Sequence, residues 1–522
     1  MPRASCARVT TTNPHARFSL LLAGVLSLAA GACDEGRADA PDAPDTPNGV
    51  ATSEIQQWDA PVSRPAKRPW AQRYVGDIQI DGITSDARSD VYTAGYFVGR
   101  AELDPAHVLV SVDDASGKPT KDIFVAKHQG RSGALAWARH FGGAGSEGNV
   151  YDLVAGANGT IVASGAFSGS VDFDGTLLTA TAEYGTGSAS SGSYGSMFLT
   201  ALSPAGAVRW ALQAKGDVLS GGNEVAADPS GGFVQVGIFG GADRPGGTLE
   251  IGAFSLPFDG GRFDTYVSKI TGGGRVLWAT PIGGAGAQRG KAIATDRFGN
   301  VLVAGDGWGG ETRFAPGQAF TSTNQDFWVA KYDPDGRLIW FRNYASTGVD
   351  EVKGIGTDAA GNVIVAASFA GRSIDIGDRH VVAAPGARET AVIFALSPDA
   401  KRVLWTNTIT SVLLCCELEV DPQGNTFVAN SAYGPSVTFG SGGQFPIGGT
   451  PRGGLLTELG RYGERVGAWT VQADDAELGE LTLLADGGVA VAGSFMGDSF
   501  SFGGVTLAGG PTRTQFVLAF DR

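Results

Sequence analysis

The chain has 522 residues, 80 of them Gly and 24 Pro, with only 18% charged and a net charge of −14. A hydrophobic fraction of 43% supplies a core and argues against global disorder, while the glycine content suits short strands and tight turns better than helices. The acidic balance argues against nucleic acid as a partner, because phosphate binding needs concentrated positive charge; solubility explains it better.

At the N-terminus, Arg3, Arg8 and Arg17 precede an apolar run from Phe18 to Ala32, and no acid occurs before Asp34. That is the plan of a signal peptide, too short for a comfortable membrane span. The run closes on Ala30-Gly31-Ala32-Cys33, which resembles a bacterial lipobox. The resemblance implies cleavage before Cys33, acylation of its thiol and new amino terminus, and stable attachment without a transmembrane helix. Residues 1–32 are therefore expected to be a lipoprotein signal peptide. Residues 33–66, rich in Asp, Ala and Pro, are expected to be a disordered stalk. The mature chain would carry 36 basic against 53 acidic residues. It would sit outside the cytoplasm, lipid-anchored to a bacterial membrane, with the outer membrane or cell surface preferred.

Residues 67–522 read as repeats. Tryptophan recurs at Trp70, Trp137, Trp210, Trp278, Trp340, Trp405 and Trp469, at intervals of 62 to 73 residues. Each sits in a similar phrase, such as GALAWARHFGG, GRVLWATPIGG or GRLIWFRNY. Three more segments recur between tryptophans. The first ends in Asp and a Gly-containing turn (KAIATDRFGN, GIGTDAAGN), the second is apolar (VLVAGDG, VAVAGSF), and the third is of the type DFWVAKYD. Alternation of β-branched and aromatic residues between Gly, Asp and Pro is strand chemistry. Four strands in each of seven repeats predict an all-β, seven-bladed β-propeller. The last repeat lacks a Trp strand and a surplus one lies at residues 68–74, so the N-terminal strand is expected to complete the C-terminal blade and close the ring.

The phrases GNVLVAG at 299–305, DFWVAKYDPDGRLIW at 326–340 and GALAWARHFGG at 133–143 resemble the bacterial seven-bladed β-propeller repeat (SBBP) family. The resemblance covers nearly all of 68–522, with the last two repeats drifted. It implies an architecture and a surface location but no common enzymatic activity.

Short turns such as Asp296-Arg297-Phe298-Gly299-Asn300 are expected on one face. The other face receives the inter-blade loops and the long second-to-third loops 98–121, 169–195, 239–263 and 307–325, and is the natural place for ligand groups. The inter-blade loops carry Asp77, Asp81, Glu147, Glu224, Arg289 with Lys291, Asp350, Glu351, Asp474, Asp475 and Glu477. They suggest either an acidic channel mouth suited to a cation or basic ligand, or ordinary solvated loop charge. No catalytic or metal motif is present: G-x-S-x-G and H-E-x-x-H are absent, GAQRGKA at 286–292 is no P-loop, and VDFDG and DPDG read as turns. His128 and His140 flank one hairpin beyond metal-ligand spacing. Adjacent Cys415 and Cys416 resemble the vicinal disulfide of quinoprotein dehydrogenases, but those enzymes resemble an eight-bladed plan and their calcium ligands cannot be located here; a pair of small apolar residues, with or without an adjacent disulfide, is the alternative. The expectation is a monomeric binding or scaffold module without a cofactor, membrane-attached through its lipid and holding a protein or glycan. The alternative is a propeller hydrolase, lyase or quinone-dependent dehydrogenase with a site at the channel mouth.

Overall fold

The structure is a computed structural model that describes residues 67–143, 148–181, 195–241, 246–410, 412–413, 417–440, 443–447 and 452–522. All belong to one compact unit, Trp58–Arg522. Cys33, Glu147, Cys415 and Cys416, and the expected leader and stalk at 1–66, lie outside the described residues. Every regular element among the described residues is a strand.

One antiparallel four-strand unit recurs along the chain. Strands Asn149–Ala155, Ile161–Phe167, Ser196–Leu202 and Val208–Gln213 pair in sequence order. The same order returns within 219–282, 287–344 and 350–410, and less regularly within 418–471. The strand Lys67–Ser85 is shared between two units. Its second half pairs with Val91–Asp104, while residues 67–74 run antiparallel to Val505–Asp521, with Trp70 opposite Ala519.

Packing explains why the middle strands read as continuous apolar runs. Val363–Phe369 and Thr390–Leu396 are buried along their whole length. Both of their faces are covered by neighbouring units: Leu302 and Phe327 of one unit share a core with Val363, Val365 and Phe394 of the next. A sheet buried on both faces needs no polar alternation.

The recurring Asp-Gly turn also has a physical cause. Asp296 accepts backbone N–H groups from Phe298 (2.9 Å) and Asn300 (3.0 Å), and the Asn300 side-chain amide at 2.7 Å. It also pairs with Lys331 Nζ at 2.9 Å, as Asp228 does with Lys269 at 2.8 Å. Each turn therefore caps itself and ties its first two strands to the third.

Tryptophans on the fourth strands stitch one unit to the next. Trp278 Nε1 donates to Pro334 O at 2.9 Å, Trp340 Nε1 to Pro398 O at 3.1 Å and Trp137 Nε1 to Pro204 O at 3.1 Å. The acceptor lies each time in the third-to-fourth turn of the following unit. Gly336 in such a turn has φ +83°, and a Cβ there would lie 2.7 Å from the Trp278 ring, so only glycine serves both demands.

The second-to-third connections differ from the long loops expected. Four-residue strands Ser170–Phe173 with Thr176–Thr179, and Thr248–Ile251 with Phe254–Pro257, form extra hairpins; at 301–332 the two main strands simply lengthen. Val171, Phe173 and Leu178 bury against Phe141 of the preceding unit and Phe198 of their own. These segments are wedges between units, and their apolar residues serve packing.

Candidate functional site: an acidic channel

The first strands of the units converge on a cavity of about 260 Å³. It is lined from every unit: Thr84, Asp152, Glu224, Thr295, Ile355, Glu417 and Leu481 all face it. Hydroxyls tie neighbouring strands together along the wall, with Thr295 Oγ1 donating to Ala227 O at 2.8 Å and Thr357 Oγ1 to Thr295 O at 2.9 Å.

A repeated backbone irregularity aims side chains at this space. The pairing of first and second strands skips one residue between Ile80 and Gly82, Val150 and Asp152, Gly222 and Glu224, Gly290 and Ala292, Val352 and Gly354, and Leu478 and Glu480. Such a bulge kinks a strand and re-aims the residue that follows. The residues after it are Gly82, Asp152, Glu224, Ala292, Gly354 and Glu480. Glu417 holds the equivalent place before the turn residue Asp421, as Glu224 does before Asp228. Four equivalent positions thus carry carboxylates; Asp152, Glu224 and Glu417 line the cavity, and so does Glu419.

No Lys or Arg stands in the lining beside Asp152, Glu224, Glu417 and Glu419. Asp152 accepts N–H groups from Leu153 (2.6 Å) and Val225 (2.7 Å), and Glu224 accepts one from Ile293. Glu417 and Glu480 share a hydrogen bond, which requires a proton on one of them. Burial pushes Asp152 up to about 6 and Glu419 up to about 7, the latter also through repulsion from Asp152. Burial and mutual repulsion hold Glu224 and Glu417 well above the ordinary carboxylate range. The cluster therefore retains protons near neutrality unless another positive charge enters.

Of the acids expected at the mouth, Glu224 is the one among the described residues that lines this cavity. Glu351 accepts from Lys291 (3.3 Å), Lys353 and Gln325 (3.0 Å); burial opposes its charge, but the two lysines hold its carboxyl far below the usual range. Asp350 accepts from Ser346, and burial pushes it up to about 6. Asp475 pairs with Arg452 and Arg513, both at 2.8 Å, and the same two arginines reach Glu477 at 3.4 and 3.6 Å. Asp77 and Asp474 are exposed, and Asp81 is the half-buried residue skipped by its bulge. Asp152, Glu417, Glu419 and Glu480 escaped sequence reasoning. Counting back four residues from the aligned turns reaches Asp152, Glu417 and Glu480, but only once the bulge is known.

Among the described residues no group of three or more His, Cys, Asp or Glu is arranged to hold a metal ion. His128 is structural: its Nδ1–H donates to Gly133 O at 3.0 Å and its Nε2 accepts from Tyr74 O–H at 2.7 Å. It stacks between Trp70 and Tyr74, and burial lowers it to about 4.

This architecture is a β-propeller. Residues 277–311 match the family model described as SBBP, Beta-propeller repeat, a stretch that begins just before the stitching Trp278. An uncharacterized WD repeat-containing protein of Acanthamoeba polyphaga mimivirus is 24% identical over 198 residues; the match covers 31% of this chain and 14% of the relative. A protein of unknown function from Dyadobacter fermentans aligns in three dimensions over 87% of this chain and 99% of its own, at 10% identity and a TM-score of 0.35. A PL25 polysaccharide lyase, an ulvan lyase, aligns over 80% and 92% at 9% identity and a TM-score of 0.40.

Proposed function

We propose that this chain is a lipid-anchored, extracytoplasmic binding module built as a closed seven-bladed ring, whose acidic channel receives a cationic group of its ligand. The observation that carries the binding reading is the convergence of Asp152, Glu224, Glu417 and Glu419 on one cavity whose lining contains no Lys or Arg. An ammonium or guanidinium group entering there would replace the protons that the cluster otherwise retains. A lysine or arginine side chain of a protein partner, or a polyamine, has that chemistry.

Two observations support the ring. Trp70 behaves as the other stitching tryptophans do, with its Nε1 donating to Gly130 O at 2.6 Å in the third-to-fourth turn of the next unit. Trp469 Nε1, by contrast, is buried without a partner. The unit it should reach has no third-to-fourth turn, because its fourth strand is supplied by residues 67–74. The Ala30-to-Cys33 lipobox resemblance supports the anchor.

Calorimetric titration with spermidine at pH 5 and pH 8 tests the channel. Binding is expected at pH 8, with proton release into the buffer, weakening at pH 5 and lost in a Glu417→Gln/Glu419→Gln variant. Unchanged binding in that variant, or none at pH 8, would refute the reading.

A further inference from the structure

We propose that the face bearing the short turns is a docking surface for anionic lipid headgroups, leaving the opposite face, with the inter-unit loops, turned away from the bilayer. The membrane concerned is the one implied by the lipid anchor above, and the inference rests on that reading for its biological setting.

The first-to-second and third-to-fourth turns lie at the same end of every antiparallel unit. Neighbouring units keep that end in common, as Ala359 N donates to Pro422 O at 3.3 Å between first turns and Trp278 reaches the Pro334 turn of its neighbour. The acids of this face are mostly consumed by structure. Asp86, Asp228, Asp296 and Asp421 are buried, accepting their own turns' N–H groups and pairing with Lys127, Lys269, Lys331 and Arg522. The exposed ion pairs Arg337–Asp335 and Lys401–Asp399 cancel. What remains fully exposed on the turn tips is Arg88, Arg131, Arg275, Arg297, Arg402 and Arg461 against Asp486, with Asp358, Glu464 and Asp521 half-buried at the same end. None of these six arginines is ion-paired among the described residues. A chain with a net charge of −14 therefore has one face whose fully exposed tips are mainly basic.

Two large aromatics stand on the same tips. Phe298 is 62% and Tyr462 66% exposed, with the Arg297 and Arg461 guanidinium groups 4.6 and 4.4 Å from their ring centres. An aromatic ring beside an arginine suits the headgroup level of a bilayer, where one part is apolar and the other wet. Chain direction agrees. Lys67 lies opposite Asp521 at the turn end of the sheet, so the strand Lys67–Ser85 begins at this face. Residues 33–66 would span on the order of 100 Å if extended, so the tether permits contact without forcing it. Attraction by the basic tips is what orients the module, each basic residue near an anionic surface being worth roughly a fivefold gain.

The test uses the full chain with Cys33→Ser, so that no acyl chain contributes, and co-sedimentation with vesicles of phosphatidylcholine alone or with about 30% phosphatidylglycerol. The protein is expected to pellet with the anionic vesicles, not with the neutral ones, and to be released by high salt. Arg88→Ser/Arg297→Ser/Arg461→Ser should weaken binding at least about tenfold. Arg100→Ser/Arg139→Ser/Arg379→Ser, with the same charge change away from the turns, should not. Melting curves of both triple variants establish folding, and single Arg88→Ser and Arg297→Ser variants, each expected to lose roughly fivefold, replace a triple that misfolds. Absence of lipid-dependent pelleting, or equal loss in both triple variants, overturns the proposal. Labelling of Cys33 by a fatty-acid analogue in the wild type is read separately: failed labelling with retained vesicle binding refutes the anchor and upholds the face.

Discussion

Removing residues 34–76 should unfold the module far more readily than removing residues 34–60, because only the longer deletion takes out the strand that pairs with Val505–Asp521. That strand carries Trp70 and Tyr74, both buried. Burying two aromatic side chains contributes about 3–6 kcal/mol together. Residues 70–74 pair in unbroken register with Gln515–Ala519 positions, and each backbone bond lost there costs about 0.5–1.5 kcal/mol net. Tyr74 O–H also satisfies His128 Nε2 and accepts from Thr93 at 2.8 Å, and an orphaned buried group costs about 1–3 kcal/mol more. The sum is comparable with a whole-domain stability of roughly 5–15 kcal/mol. Urea unfolding followed by tryptophan fluorescence measures it. The shorter deletion should leave the midpoint nearly unchanged, and the longer one should lower it strongly or cause aggregation through the exposed edge. Coincident midpoints would mean that residues 67–74 contribute no structural strand, and the proposed seven-bladed ring would have to be abandoned.

Two further outcomes test separate steps. Cys33→Ser should release the protein from the membrane fraction and abolish labelling by a fatty-acid analogue; persistent labelling would refute acylation at that residue. Gly336→Ala should cost more than Gly317→Ala in equilibrium unfolding: both have positive φ, about 1–2 kcal/mol for a non-glycine residue, but only Gly336 would drive a Cβ into the Trp278 ring, whereas Gly317 faces open space. Equal losses would show that the tryptophan stitch does not discriminate.

What was legible in the sequence is what the stitching requires. An indole must find a carbonyl and a glycine in the next unit's turn, so Trp278, Pro334 and Gly336 recur as a spaced pattern whatever the rest of the repeat does. The Asp296-type turns were legible for the same reason, since one carboxylate serves three donors there. The wedging hairpins were not, because four-residue apolar strands such as Ser170–Phe173 carry too short an alternation to stand out from loop sequence. Charges at the channel mouth misdirect for another reason. The partners that neutralise Asp475 and Glu477, Arg452 and Arg513, are more than twenty residues away in the chain and meet them only in the folded state. Asp152 and Glu480 were hidden by the bulge, which shifts the strand's facing by one residue and so inverts the parity on which a strand is read.

The pH dependence of stability brings two buried systems into opposition within one window. His128 titrates at about 4 when folded and near 6.5 when free. Between those values the unfolded chain binds a proton that the folded one refuses, so this group makes stability rise with pH from about 4 to 6.5 and contributes fully above. Asp152 and Glu419, raised to about 6 and about 7, do the reverse: the folded channel keeps protons that the unfolded chain has lost, and stability falls as pH rises from about 4 to 7. Glu224 and Glu417 act in the same direction. With several carboxylates against one imidazole, the wild type should lose stability between pH 5 and pH 8. Glu419→Gln isolates one term. It removes a titrating group, so the variant should match the wild type at pH 4.5 and exceed it at pH 8 by about 1–3 kcal/mol, the lower end applying if water in the cavity screens the charge. Urea unfolding at the two pH values decides the matter, and a variant whose advantage is the same at both would show that Glu419 is not held protonated by the channel.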